Sequence, residues 1–287
     1  MSISMPPLSA IRLVTVTAIT MLAFAANSLF CREALASGSI SAASFTLIRI
    51  AAGGLMLALL ATSQIRRYGL AGSWWSASAL FGYAVAFSFA YNSLSAGSGA
   101  LLLFGAVQIT MIGYGLWSGE RINRWQTLGT VCAIGGLVWL VLPGVSSPPL
   151  GGALLMLIAG VAWGIYSLLG RGIKRPLLAT AGNFVRAVPL AVIVYLLFST
   201  SEPASQLGIT YAIASGALAS GLGYALWYSV LPALTPATAA MVQLSVPLIT
   251  AFGGLIWLGE SITLRLLLAS AAILGGIALF VLSKRPT

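Results

Sequence analysis

The amino-acid sequence predicts an all-α integral membrane protein with ten transmembrane helices, arranged as two inverted five-helix repeats. Three observations predict this fold class. The 287-residue chain is 59% hydrophobic, only 6% charged, and has a mean hydropathy of +1.02. A soluble domain carries about 25% charged residues, so this chain lacks the charge for a water-facing surface. The apolar sequence also divides into segments of membrane-crossing length, and one segment recurs in both halves.

Ten apolar segments are separated by charges and by clusters of Gly, Pro and Ser. Each has about the 20 residues that a membrane-spanning helix needs. In order they are 11–31, 41–62, 73–94, 97–118, 125–142, 150–170, 177–198, 207–231, 235–258 and 263–283. The Pro-rich stretch 143–149 lies between the fifth and sixth spans, and it is the predicted linker between a first repeat, 1–142, and a second, 150–287.

A recurring segment indicates the two-fold organisation. The first copy, 117–123, reads Trp-Ser-Gly-Glu-Arg-Ile-Asn, and the second, 257–263, reads Trp-Leu-Gly-Glu-Ser-Ile-Thr. A Gly-Gly pair follows each copy, at 135–136 and at 275–276. The Trp, the Gly-Glu pair, the Ile and the Gly-Gly pair all repeat at one offset. Self-similarity at a fixed offset indicates a repeated structural unit.

The basic residues predict how the spans are oriented. With a cytoplasmic N-terminus, only Arg32 and Arg265 fall on the outer side of the membrane. Cytoplasmic loops carry an excess of Lys and Arg, so both termini are predicted to be cytoplasmic, in a bacterial inner (plasma) membrane. Each half has an odd number of spans, so the second half crosses the membrane inverted. The inner basic residues are Arg12, Arg66, Arg67, Arg121, Arg124, Arg171, Lys174, Arg175, Lys284 and Arg285.

Further matches support the inverted repeats. Arg49 in span two corresponds to Arg186 in span seven, and Phe24 in span one corresponds to Trp163 in span six. Inverted-topology repeats are typical of transporters, because exchanging the conformations of the halves alternates access to a site between them.

Composition argues against several other functions. The net charge of +10 comes from scattered basic residues, so there is no basic stripe for a nucleic acid. Cys31 and Cys132 lack the spacing of a metal site, and no cofactor is predicted. Without His or Asp, no general base can be assigned, which predicts that the protein is not an enzyme. The expected partners are a small-molecule substrate and the lipid bilayer, and a monomer is possible.

The Gly-Glu pairs that end spans four and nine, with the Gly-Gly pairs after them, resemble the drug/metabolite transporter superfamily. The ten-helix EamA-type branch is the closest group. The Ala-Trp-Gly-Ile-Tyr-Ser run at 162–167, followed by Arg171, fits that pattern, and Phe24 stands where members usually have Trp. The resemblance covers almost the whole chain. It implies a carrier that exports amino acids or other small metabolites, with the aromatic amino-acid exporters of the YddG type as the nearest group.

Aromatic and amide residues within the spans are the predicted substrate-binding residues. Tyr83, Phe87 and Tyr91 repeat every four residues, so they share one face of span three, and Tyr224 and Tyr228 do the same in span eight. Amides have little reason to face lipid. Any single aromatic can instead serve packing or an interfacial belt. The predicted set is Phe24, Asn27, Tyr83, Phe87, Tyr91, Gln108, Trp163, Tyr166, Tyr224, Trp227, Tyr228 and Gln243.

The glutamates fall at span ends or in loops, which argues against a proton relay and for a gradient-driven facilitator. Glu120 and Glu260 precede Asn123 and Thr263, which are good N-caps, and Gln126 completes a capping box with Asn123. These Gly-Glu segments are therefore predicted to be helix corners.

The intramembrane arginines leave two alternatives. Arg49 and Arg186 can bind a substrate anion, or they can support helix ends, and their symmetric placement favours the second role. The leading prediction is a secondary transporter that exports aromatic or other apolar amino acids by alternating access through a largely uncharged cavity. An exporter of hydrophobic drugs or cations would use a membrane-buried acid, and no span contains one. A carrier of phosphorylated metabolites would use intramembrane basic residues.

Overall fold

The computed structural model describes residues 10–199, 204–234 and 236–283, and all regular secondary structure within them is helical. Eight helical segments in these ranges are long and apolar enough to cross a membrane. The all-α prediction is therefore confirmed, while the count of ten spans and their inverted arrangement stay predictions. Glu202, Lys284 and Arg285, which entered the orientation argument, lie outside the described residues.

The helices coincide with the ten predicted segments to within a few residues at most ends. The first half contains α1 (Ala10–Ala36), α2 (Ala42–Leu60), α3 (Thr62–Tyr68), α4 (Trp74–Ala90), α5 (Ala96–Trp117) and α6 (Arg124–Val141). The second half contains α7 (Leu150–Leu169), α8 (Pro176–Phe198), α9 (Gln206–Ile213), a π-helical segment (Ala214–Leu222), α10 (Gly223–Val230), α11 (Pro236–Gln243), α12 (Ser245–Trp257) and α13 (Leu264–Leu282). The helices α4 and α6, with 17 and 18 residues, correspond to predicted spans but are not among the eight segments that are long and apolar enough to cross a membrane.

The two Gly-Glu segments form helix corners, as predicted. Gly119 and Gly259 have φ of 88° and 64°, a backbone conformation that favours glycine after the end of a helix. The Asn123 side chain accepts hydrogen bonds from the backbone N–H groups of residues 125 and 126, and Gln126 completes the capping box. Thr263 caps α13 in the same position of the second copy.

Helix pairing runs mostly between the two halves. The helix α6 packs against α13, α2 against α8, α4 against α7, and α1 against the segment from α9 to α10. Glycines permit a close approach between α6 and α13, where a Cβ atom on Gly129 would meet the backbone carbonyl of Gly276. Small residues at such contacts are typical of membrane helix pairs.

The contacts at the helix ends define two ends of the bundle. At one end, here called the Arg32 end, α1 approaches the turn between α4 and α5 and the corner after α12. Gly160 and Gly164 of α7 lie against Ala106 and Thr110 of α5, so these two helices run parallel. The loop after α7 therefore lies at the opposite end with the corner after α5, here called the Arg171 end.

Candidate functional site

A cavity of about 670 Å³ lies between the two halves, among α1, α4, α5, α7, α8 and α10. Its volume falls within the range of small-molecule sites, about 300–1,000 Å³. It reaches the Arg171 end, where Arg171 and Lys174 line it. Eleven of the twelve predicted site residues lie in its wall: Phe24, Asn27, Tyr83, Phe87, Gln108, Trp163, Tyr166, Tyr224, Trp227, Tyr228 and Gln243. That they bind a substrate stays a prediction.

Trp163 is the centre of the aromatic wall. Its ring stacks on Tyr224 with 5.3 Å between centroids and 21° between planes. Tyr83 and Tyr166 flank the same indole at 4.9 Å and 5.2 Å. Helices from both halves, α4, α7 and α10, thus place four rings around one position. Such a wall can stack against an apolar or aromatic group.

Neutral polar groups form two hydrogen-bonded chains in the wall and directly behind it. The Ser215 hydroxyl donates to Asn27 Oδ1 at 2.6 Å, and Asn27 Nδ2 donates to the Tyr83 hydroxyl at 3.2 Å. On the other side, Tyr166 donates to Thr180 Oγ1, which donates to Tyr228, at 3.4 and 3.3 Å. Neither chain contains a carboxylate, so the polar part of the cavity is built from hydroxyls and amides.

Tyr91 differs from the other predicted site residues, because it is fully buried and does not line the cavity. It is the C-cap residue of α4, so the four-residue spacing carries it beyond the helix into the Arg32 end. Its ring packs edge-on against Phe87 at 4.8 Å, and its hydroxyl donates to the Ala96 carbonyl at 3.3 Å. Tyr91 therefore packs behind Phe87, which lines the cavity, and does not face the cavity itself.

An ion pair ties the Arg32 end together. Arg32 Nε lies 2.9 Å from Glu260 Oε1, and Arg32 Nη1 donates to the Tyr91 carbonyl at 3.1 Å. The second oxygen of Glu260 accepts the backbone N–H of Ala96 at 2.8 Å. Glu260 therefore does more than end a helix, since it links α1, the α4–α5 turn and the corner before α13. Nothing in the sequence pattern predicted this pairing, because Arg32 and Glu260 lie 228 residues apart.

The two intramembrane arginines have different surroundings. Arg186 Nη1 donates to the carbonyls of Ala71 and Gly182 at 2.6 and 2.9 Å, which is the predicted support of backbone groups. Arg49 bonds no carbonyl of the described residues, so the same prediction is wrong for it in this part of the chain. Its side chain is buried, with the guanidinium 4.8 Å from the ring centre of Phe87 and 5.5 Å from that of Tyr83.

Sequence reasoning missed several small polar residues of the site. Ser220 lines the cavity with a buried hydroxyl that has no hydrogen-bond partner among the described residues. Ser220 and Ser215 both belong to the π-helical segment, a distortion often found at functional sites. The sequence did offer one signal for this distortion, which is the concentration of Ser, Gly and Ala residues at 214–221. Small residues permit irregular helix geometry next to a neighbouring backbone.

The comparisons with known proteins agree with this architecture. A model of the EamA-like transporter family matches residues 150–282. The chain is 54% identical over 271 residues to the uncharacterized protein PA1977 of Pseudomonas aeruginosa, which covers 94% of both chains. It is 26% identical over 176 residues to the uncharacterized transporter YoaV of Bacillus subtilis, covering 58% of this chain and 60% of that one. A crystal structure with 19% identity superposes with a TM-score of 0.65, covering 94% of this chain and 99% of the other, which shows a shared fold.

Proposed function

Since the chain belongs to the EamA-like transporter family, of the drug/metabolite transporter superfamily, we propose that it is a secondary transporter that exports small metabolites by alternating access. Family membership makes it a multi-pass membrane protein and a transporter of small molecules, and we assign it no enzymatic activity. The finer proposal, which names aromatic or other apolar amino acids as the first substrates, depends on one observation. That observation is the aromatic cavity around Trp163 between the two halves of the chain.

The helix pairing supports an architecture of two related halves, 1–142 and 150–287. In the predicted repeats, α7 corresponds to α1, α8 to α2, the α9–α10 segment to α4, and α13 to α6. If each helix is replaced by its counterpart, the pair α4–α7 becomes the pair of α1 with the α9–α10 segment. The pairs α2–α8 and α6–α13 are unchanged by this replacement. All of these pairs are in contact. Two halves related by a pseudo-two-fold axis would pair in this way, and many transporters that work by alternating access are built from such halves.

The two ends of the cavity differ, as alternating access needs. At the Arg171 end the cavity reaches the loop between α7 and α8, while the ion pair of Arg32 with Glu260 and the ring of Tyr91 lie across the Arg32 end. We infer that this conformation admits substrate from the Arg171 end. Release would require the Arg32 end to separate.

The lining chemistry supports an apolar substrate over an organic cation. Apart from Arg171 and Lys174 at its mouth, the wall is made of aromatic and aliphatic side chains with a few amides and hydroxyls, and none of the described lining residues is acidic. A cation exporter would need a carboxylate in the cavity. Glu260 is engaged in an ion pair at the Arg32 end, so we propose a gradient-driven facilitator that has no proton relay.

Transport by purified protein in liposomes tests this function. A panel of labelled amino acids is expected to equilibrate down its own gradients without an imposed pH difference, with aromatic members moving fastest. Trp163→Ala should abolish most of this transport and leave folded protein near wild type, because Trp163 is half-buried in the cavity wall.

Trp75→Ala is the matched control, since Trp75 is 81% exposed on the outside of the bundle and does not line the cavity. Equal transport losses in both variants, or accumulation that needs a pH gradient, would contradict the proposal.

A further inference from the structure

We propose that the cavity binds the carboxylate of a small apolar organic acid at the Tyr83 hydroxyl, with the buried Arg49 guanidinium behind it as the counter-charge. This inference rests on the proposed function, since it names the substrate chemistry of the same cavity.

Arg49 carries a buried positive charge that no described side chain neutralises. Its side chain is 3% exposed, and Nη1 has no hydrogen-bond partner among the described residues. The faces of Tyr83 and Phe87 offset part of the desolvation through cation–π contacts. A buried ion without a counter-ion is nevertheless costly, and the cost falls when an anion binds nearby.

Tyr83 connects this charge to the cavity. Its hydroxyl oxygen accepts one hydrogen bond from Arg49 Nη2 at 3.4 Å and another from Asn27 Nδ2 at 3.2 Å. The bond from Ser215 to Asn27 Oδ1 holds the amide in this orientation. With both lone pairs occupied, the hydroxyl can only donate its own proton, and none of the described residues accepts it. Because Tyr83 lines the cavity, this polarised donor is available to a bound acceptor.

The rest of the cavity favours an anion as well. Arg171 and Lys174 line its mouth, and the described lining residues include no carboxylate. Clefts lined by one sign of charge concentrate ligands of the opposite sign. The Ser220 hydroxyl, which is buried in the same wall without a partner, is a second available donor.

The position of Tyr83 indicates the chemistry of the substituent that is attached to the carboxylate. The Tyr83 ring lies 4.9 Å from the indole of Trp163, so a carboxylate at the hydroxyl places its substituent against the aromatic wall. One guanidinium and neutral donors in an apolar wall suit a monovalent carboxylate. A phosphate dianion would need more charge and more donors to offset its desolvation.

Binding to the detergent-purified protein, measured by isothermal titration, tests the proposal with phenylacetate and phenylacetamide, which differ in charge but hardly in shape. Phenylacetate should bind at least about tenfold more tightly, as expected for a hydrogen bond to a charged group. Arg49→Gln should remove this preference, because phenylacetate affinity should fall by more than phenylacetamide affinity does. Arg49→Lys should retain part of it.

Two further variants separate binding from folding. Tyr83→Phe removes only the hydroxyl and should reduce the preference for phenylacetate. If Arg49→Gln does not fold, this variant alone decides whether the preference depends on the proposed carboxylate site. Arg186→Gln is the matched control, because Arg186 holds the equivalent repeat position but bonds backbone carbonyls, and it should keep the preference.

Each contrary outcome has a separate meaning. Equal binding of both compounds by the wild type would overturn the carboxylate site and leave the aromatic cavity standing. Tighter binding of phenyl phosphate than of phenylacetate would overturn it in favour of a phosphorylated substrate. Binding of neither compound would overturn this inference, while the liposome transport of labelled amino acids decides the proposed function separately.

Discussion

At the scale of single residues, the same amino acid at equivalent repeat positions has two different roles. Arg186 satisfies backbone carbonyls of α8 and of the segment before α4, whereas Arg49 is held by aromatic faces and one long hydrogen bond. The sequence places both arginines at matching depths and cannot separate them, because the difference lies in which groups of the other half approach each guanidinium.

This difference predicts opposite effects on stability. Arg186→Gln should lower the apparent unfolding temperature, because the Ala71 carbonyl, which lies outside α8, loses its donor and a buried unsatisfied group costs about 1–3 kcal/mol. Arg49→Gln should leave the temperature unchanged or raise it, since it removes a buried charge that lacks a counter-ion. Thermal unfolding of both variants in the same detergent measures this. Equal losses would show that Arg49 is a structural support like Arg186.

The position of most aromatic residues in the cavity wall could be predicted from the sequence for a physical reason. An aromatic every four residues along a helix must share one face, and the repeat places the two faces against each other. Tyr91 was the exception, because the spacing rule holds only inside a helix and α4 ends at Ala90. The polar partners Ser215 and Ser220 carried no such periodic signal, since their role depends on the π-helical geometry.

At the scale of helices, the sequence predicts the helix ends that are fixed by capping residues. It does not predict which helices are broken internally. Pro189 leaves α8 continuous, whereas the ninth predicted span is divided at Leu244 into α11 and α12. Pro247 has no N–H to bond the carbonyl of Gln243, four residues earlier, which accounts for the interruption there. Only packing with neighbours decides whether a proline is absorbed or breaks the helix. The short helix α3 was also not predicted.

The ion pair at the Arg32 end predicts how this end opens. Glu260→Gln removes the charge that links α1 to the corner before α13, and loss of a charge-assisted hydrogen bond costs about 1.5 kcal/mol. The population with an open Arg32 end should therefore rise by roughly tenfold. Cys31 reports on this opening, because it is fully buried beside Arg32 in the closed end.

The measurement is the rate of Cys31 alkylation by a maleimide, with Cys132→Ser removing the exposed second thiol. Glu120→Gln is the matched control, since Glu120 occupies the equivalent corner at the Arg171 end and should leave Cys31 protected. An unchanged rate in Glu260→Gln would mean that the ion pair does not hold this end closed.

At the scale of the whole molecule, composition and repetition predicted the helical class and the cross-half cavity, while orientation rests on charge alone. The basic residues at the Arg171 end include Arg66, Arg67 and Arg124, and the Arg32 end has Arg32 and Arg265. An excess of basic residues marks cytoplasmic loops. The Arg171 end is therefore expected to face the cytoplasm, so that the cavity, as the structure has it, loads from inside the cell.

Cysteine labelling in intact cells tests this orientation in a Cys132→Ser background. Val145→Cys lies in the linker between the halves, where Val145 is 91% exposed, and Arg66→Cys lies in α3 next to the Arg171 end. A membrane-impermeant maleimide should label position 145 and spare position 66 until the membrane is permeabilised. The linker follows α6, and the carbonyl of its C-cap residue Leu142 accepts a hydrogen bond from Arg265 at the Arg32 end, so the two positions report on opposite ends. Labelling of position 66 in intact cells, with position 145 protected, would reverse the orientation and turn the proposed exporter into a carrier that loads from outside.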